Sequence, residues 1–337
     1  MSTDGTRPRP GERREHSGEQ SPTRRAVFRR PPATGGTEGG SSAAAKKDTS
    51  VANGNPSAAN GDSSATANGS PSAEAKARAK AKAWRRRTIR MWIPQYHGGW
   101  AMVVVPPILG IVEGGFRWAH IPLYALWFIG YFFFYCATVW LRSHCKARYA
   151  APVKAYGAAV LGLGLISLVC APFLWRWALL FAPLVAVAAL AAWKREDRSL
   201  ASGLDTVAAA SLMVPVMYDV STDGAAGLGG TAHVWALAAL FFGYFAGTVF
   251  YVKTNIRERG STPYLFASVA WHAAWTAAVI ALAMHDAIGR WHAVVWALMT
   301  ARAVAVPLYG RIRTPLPVRA IGIGEILASI AFIVTLF

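Results

Sequence analysis

The sequence predicts an all-α fold: a polytopic transmembrane helical bundle of about nine spans behind a long basic tail. Three observations lead there. Apolar residues make up 54% of the 337 residues while the formal net charge is +18, a pair of properties that one compact soluble surface does not accommodate. The two are separated along the chain, residues 1–90 being basic and poor in large aliphatics and residues 100–337 almost wholly apolar. The apolar part then divides into stretches of membrane-crossing length, joined by loops whose charge alternates.

Residues 1–75 are mostly Gly, Ser, Ala, Pro, Thr and Asn, with arginine clusters at Arg13-Arg14 and Arg29-Arg30. Such a stretch cannot bury enough apolar surface to offset chain entropy, so a disordered cytoplasmic tail is expected. No apolar h-region follows the charges, which argues against a secretory signal. Residues 76–92 combine good helix formers, basic side chains and Trp84, and predict a basic juxtamembrane helix along an anionic leaflet. Charge in this position fixes topology, and no specific nucleic-acid partner is expected.

The transmembrane domain, 93–337, offers candidate spans at 100–112, 121–141, 153–170, 177–193, 204–218, 232–252, 264–284, 291–308 and 321–337. The first and fifth are short and carry Pro106-Pro107 and Pro215, which predicts kinks there. Trp100, Trp118, Trp177, Trp193 and Trp291 stand near span ends, as an interfacial aromatic belt requires. After spans two, four, six and eight come the basic sets Arg142, Lys146, Arg148; Lys194, Arg195, Arg198; Lys253, Arg257, Arg259; and Arg311, Arg313, Arg319. The other loops hold Arg117, Arg176 and Arg290 beside Glu113, Asp219, Asp223 and Asp286. The positive-inside rule then places the protein in the cell membrane with the tail and the four basic loops cytoplasmic and Phe337 extracytoplasmic.

An internal repeat underlies this alternation. Spans two and six both end in Thr-Val followed by basic-x-x-x-basic-x-basic, and a Gly-Tyr-Phe triplet precedes each. One common offset relates Arg142 to Lys253, Lys146 to Arg257, Arg148 to Arg259 and Pro152 to Pro263. Two pseudo-repeated four-helix halves plus one further span is the economical reading. If each span continues as helix past the interface, residues four apart share a face, pairing Arg142 with Lys146 and Lys253 with Arg257. Facing pairs of that kind suit a phosphate, diphosphate or carboxylate; stop-transfer charges on lipid headgroups are the plainer reading. The candidate ligand site is therefore Arg142, Lys146, Arg148, Lys253, Arg257 and Arg259.

Other residues are weighed singly. Glu196, Asp197 and Asp205 gather near span five, where interleaved Lys194, Arg195 and Arg198 are expected to neutralise them. Glu325 lies inside the last span, and an intramembrane carboxylate needs a partner, for which Arg302 and Arg319 are the candidates. His97, at the edge of span one, is either a proton carrier or a hydrogen-bonding residue that orients the span. His272 and Trp271 are expected in the core. Cys136, Cys145 and Cys170 have no metal spacing, and no metal or cofactor is expected. No Walker, HExxH, GxSxG or dinucleotide motif occurs, so no catalytic residue is assigned.

The segment Ile93-Pro94-Gln95-Tyr96-His97-Gly98-Gly99-Trp100-Ala101-Met102 resembles the motif that precedes the first span in the YwiC-like family of bacterial membrane proteins, departing from it at Tyr96 and Gly99. Ile256–Gly260 and the Gly322-Ile323-Gly324-Glu325 segment are similar too, and the resemblance covers roughly 92–337. It adds Gln95 to His97 and Glu325 as a possible proton or polar site, and implies no established activity. The layout is more distantly similar to the UbiA-type prenyltransferase superfamily, which implies a cytoplasmic site at the loops after spans two and six. Those enzymes hold Mg²⁺ there on aspartates; here the loops are cationic and supply only Glu258, so metal-dependent prenyl transfer is not expected. The expected partners are membrane lipids and an anionic, isoprenoid-phosphate-like ligand, the alternative function being a small-anion transporter.

Overall fold

The computed structural model describes residues 73–94, 99–228 and 230–336, all within one compact unit. The tail before residue 73 and the candidate residues Gln95 and His97 lie outside the described residues. The architecture is all-helical: α1 Ala73–Trp92, α2 Gly99–Gly114, α3 His120–Arg142, α4 Ala150–Cys170, α5 Trp175–Trp193, α6 Leu200–Ser211, α7 Met213–Ser221, α8 Ala232–Ile256, α9 Thr262–Met284, α10 Arg290–Ile312 and α11 Val318–Leu336. With α6 and α7 counted as one broken span, 8 helices are long and apolar enough to cross a membrane, and α2 is a shorter ninth. The protein is a multi-pass membrane protein.

Proline shapes both short spans. Pro107 has no N–H to give the carbonyl one turn back, and the indole of Trp127 on α3 donates to that carbonyl, on Val103, at 2.9 Å. Pro215 acts similarly at the α6–α7 boundary, where Leu212 interrupts the helix just before the proline. α1 is tied to the bundle at its C-terminal end: Cys136 Sγ donates to Met91 O at 3.2 Å and the Tyr156 hydroxyl to Trp92 O at 3.2 Å.

The centre of the bundle is α8. About 67% of its most apolar window is buried and 50% of that in α6–α7, against 22% or less in the other long spans. α8 is apolar on all sides because protein surrounds it. The outer spans keep aliphatics such as Leu165, Val169, Leu179 and Ile330 exposed, as lipid-facing helices do.

Close approach depends on small residues. α2 lies on α7 through Gly110 and Gly114, where an added methyl would overlap the Val214 carbonyl and Ser221. α8 lies on α9 through Gly243 and Gly247, against Trp275 and His272. The halves share neighbours: α3 packs on α4 and α5, α8 packs on α9 and α10, and the first span of one half lies on the first span of the other.

Two residues differ from their expected places. Asp219 stands in α7, fully buried, where the charge pattern had put it in a loop. Trp177 is only 2% exposed and so does not belong to the interfacial belt. The two account for each other, since the Trp177 indole donates to Asp219 Oδ2 at 2.8 Å, and Arg176 adds a guanidinium at 3.5 Å. At the same end of the bundle, His120 Nε2 donates to Met217 O at 2.9 Å, tying α3 to α7.

Candidate functional site

The basic sets lie at the end of the bundle opposite His120 and Asp219. The repeated spacing is realised differently in the two halves. α3 stops at Arg142, and His144 and Cys145 take positive φ of 56° and 59°. The chain therefore leaves the helix before Lys146, and Arg142 and Lys146 do not share a helical face. α8 does continue: Arg257 caps it in helical geometry, its N–H bonded to Lys253 O, so Lys253 and Arg257 are stacked one turn apart.

A third loop brings the two halves together. Arg142 Nη1 pairs with Asp197 Oδ2 at 3.1 Å, and Asp197 keeps only 8% of its side-chain surface. On the next residue, the Arg198 carbonyl accepts from Lys253 Nζ at 2.9 Å and from Arg257 Nη1 at 3.1 Å. Arg195 Nε closes the knot on Arg142 O at 3.3 Å. Thus Asp197 is neutralised by Arg142 from another loop, where the sequence had suggested its own neighbours. Lys253 is buried, and the charges acting on it are Arg257 and Glu258.

The remaining cations stand outside this knot. Lys146, Arg148, Lys194 and Arg198 are exposed, Arg148 lying over the Tyr149 ring at 4.8 Å. Arg259 donates to Asn255 O at 2.9 Å and borders a narrow cleft with Thr254, Gly260 and Arg311. Two cations share one carbonyl oxygen, and the loops at this end of the bundle carry further exposed cations, so this end is strongly positive. Among the described residues, no group of His, Cys, Asp and Glu could hold a metal ion.

Glu325 is partnered by Arg302, the contact between Arg302 Nη1 and Glu325 Oε1 being 2.8 Å. The Arg302 guanidinium also lies over the Tyr251 ring at 4.2 Å. A second buried set was not legible: Trp296 Nε1 donates to His292 Nε2 at 3.0 Å, leaving His292 Nδ1–H to face Thr335 Oγ1 at 3.0 Å. His292 stands in the first turn of α10, and nothing in its sequence position announces these partners. His272 is buried, 2.7 Å from Ser268 O, and the Trp271 indole donates to Gly243 O at 2.8 Å. Toward the other end of the bundle, a cavity of about 290 Å³ is lined by Leu123, Trp127, Gly164, Leu168, Phe181 and Met213 among others.

No solved structure matches the chain, and nothing here supports the likeness in layout to the UbiA-type prenyltransferases. Residues 93–218 match the family model described as YwiC-like protein. The chain is 31% identical over 181 residues to the Uncharacterized protein YwiC of Bacillus subtilis (strain 168), an alignment covering 53% of this chain and 73% of that protein. The family match starts at Ile93 and ends within α7, and the relative is aligned over most of its own length: the chain belongs to the YwiC-like family.

Proposed function

We propose that this protein binds a lipid with a phosphate-bearing headgroup at the end of the bundle where the basic loops meet. The observation that carries the reading is the Asp197–Arg198 segment, on which Arg142 from one half and Lys253 and Arg257 from the other converge. A carbonyl oxygen carries no countercharge and Glu258 is one carboxylate beside two cations, so an anion beside Arg257 would supply the missing charge. Exposed Lys146, Arg148 and Arg259 are the further donors, on the face that positive-inside topology assigns to the cytoplasm.

The apolar cavity supports a long lipid chain. It is a groove of about 290 Å³ open on one side, and its apolar walls make it a better place for a hydrocarbon chain than for water. Trp127, on its wall, is 15 residues from Arg142 along α3, a rise of about 22 Å. A ligand that used both places would need a chain crossing most of a hydrocarbon core of about 30 Å. That favours a polyprenyl phosphate over a short-chain phosphate.

Native mass spectrometry of the purified protein with a polyprenyl phosphate, the matching polyprenol and phosphatidic acid tests this. Retention of the phosphate and loss of the uncharged alcohol are expected. The combined Lys146→Glu and Arg257→Glu variant should lower phosphate retention about tenfold or more, the loss of at least one charge-assisted contact. Equal retention of alcohol and phosphate, or an unchanged double variant, would overturn the reading.

A second reading, a small-anion permease, is favoured by one observation: a charged pair, Arg302–Glu325, inside the membrane-spanning helices. Ionisable residues at such depth are costly and mark ion pathways. Flux of a small anion into proteoliposomes is its test.

A further inference from the structure

The Arg302–Glu325 pair sits in the C-terminal half and shares no residue with the cavity or with the Asp197–Arg198 knot. Four helices surround it. Tyr244, Thr248 and Tyr251 approach from α8, His272 from α9, Arg302 belongs to α10, and Glu325 shares α11 with Ser329. The Tyr244 hydroxyl and Ser329 Oγ are 3.0 Å apart, and Ser329 Oγ donates to Glu325 O at 2.9 Å.

The pair is close but incompletely satisfied. The Thr248 hydroxyl and the Arg302 guanidinium both lie within hydrogen-bonding reach of the Glu325 carboxylate, but neither contact is well aligned, and Arg302 Nε is buried without a partner among the described residues. A pair that only locked two helices together would be expected to use a bidentate fork and to fill its remaining acceptors. A half-satisfied pair in a low-dielectric interior is instead suited to changing partners.

An approach to it exists from the basic end. The narrow cleft walled by Thr254, Asn255, Arg259 and Arg311 has Val306 and Ile321 in its lining. Those two pack with Tyr251 and Ala303 in one small cluster, and Tyr251 is the ring on which Arg302 rests. Side chains that line the cleft thus pack on the residue that carries Arg302. The cleft has room for about one water molecule, which suits a proton carried on water, and its rim cations favour an anion.

We propose that Glu325 and Arg302 form a site that takes up one proton together with one small monovalent anion of chloride size, entered through the cleft over Tyr251 and Ile321. The proton adds to a Glu325 carboxylate oxygen and makes it neutral. Arg302 then holds an uncompensated positive charge inside the membrane, which an incoming anion balances, so net charge in the site is unchanged. Loss of the proton restores the carboxylate, which displaces the anion from Arg302. The inference deepens the permease reading, and it is independent of lipid binding at the Asp197–Arg198 knot.

Carbodiimide labelling of the full chain in liposomes tests it, because the protonated carboxyl adds across the carbodiimide and the adduct is read as added mass on the Glu325 peptide. Labelling should rise as pH falls and rise further, about tenfold at saturating anion, when chloride replaces a bulky anion such as gluconate. Arg302→Gln should label strongly whether chloride is present or not. Glu325→Gln should leave that peptide unlabelled. The Arg302→Gln and Glu325→Gln combination, which keeps two neutral hydrogen-bonding groups, should remain monodisperse in detergent and show no chloride effect. Absence of labelling at every pH, or labelling indifferent to chloride in the unsubstituted protein, would overturn the proposal. Labelling that responds to chloride without chloride flux would leave this site standing and remove the permease reading. Flux without such labelling would do the reverse.

Discussion

At the scale of single residues, the interior is organised by polar groups that complete one another across helices. Trp127 is the clearest case, since its indole answers the carbonyl that Pro107 leaves open. Trp127→Phe should destabilise the protein by about 1–3 kcal/mol, the cost of a buried acceptor without a donor. Pro107→Ala restores the backbone N–H, so in the Trp127→Phe background it should recover most of that loss; a thermal-unfolding double-mutant cycle in detergent measures it. If the two changes are additive, the indole does not serve that carbonyl. Asp219 offers a second check. Asp219→Ala leaves the Trp177 indole without its acceptor and removes a countercharge from Arg176, which keeps Phe173 O and Gly224 O, and a loss of about 1–3 kcal/mol is expected, against little change for Asp223→Asn on the exposed pair with Arg117. Neither partnership was legible in sequence. A tryptophan near a span end reads as an interfacial anchor, and a carboxylate near one reads as a loop charge, until the third dimension pairs them.

At the scale of elements, helix placement was legible because it depends on apolar length, a local property of about 20 residues. Contacts and helix stops were less so. Nothing in the residue types His144 and Cys145 announces a positive φ, yet that turn carries Lys146 off the helix and breaks the symmetry of the repeated basic motif. Arg302 and Arg319 were both reasonable partners for Glu325 by spacing, and only the crossing of α10 with α11 selects Arg302. Glycines make a test at this scale. Gly110→Ala puts a methyl against the Val214 backbone of α7, which cannot give way as a side-chain end could, whereas Gly162→Ala meets open space on α4. The first should cost about 1–3 kcal/mol and the second should be neutral or slightly stabilising, as Gly to Ala in a helix usually is. Equal melting temperatures for the two would contradict the α2–α7 packing.

At the scale of the whole molecule, the two halves meet through α2 on α6, α7 and α8, through α5 on α6, through the contacts of His120 and Trp177 with α7, and through the loop at Asp197–Arg198. Topology is the property to test here. Cys145 is exposed at the basic end, while Asp286 lies in a turn between α9 and α10 at the other. With Cys136 and Cys170 replaced by Ser, Cys145 should react with a membrane-impermeant maleimide only after the cells are opened. Asp286→Cys, in a protein freed of other cysteines, should react in intact cells. The reverse pattern would invert the orientation that positive-inside charge assigns. The burial of α8 bears on how the chain is made. Spans leave the ribosome in order, and α8 comes sixth, after every helix of the first half and before three of its own neighbours. Until α9, α10 and α11 arrive, its far side, with Tyr244, Tyr251, Thr254 and Asn255, must face lipid, a translocon or a chaperone. Chains truncated between α8 and α9 should accordingly be short-lived in the cell, and quality control would have its best view of this protein in that interval of synthesis.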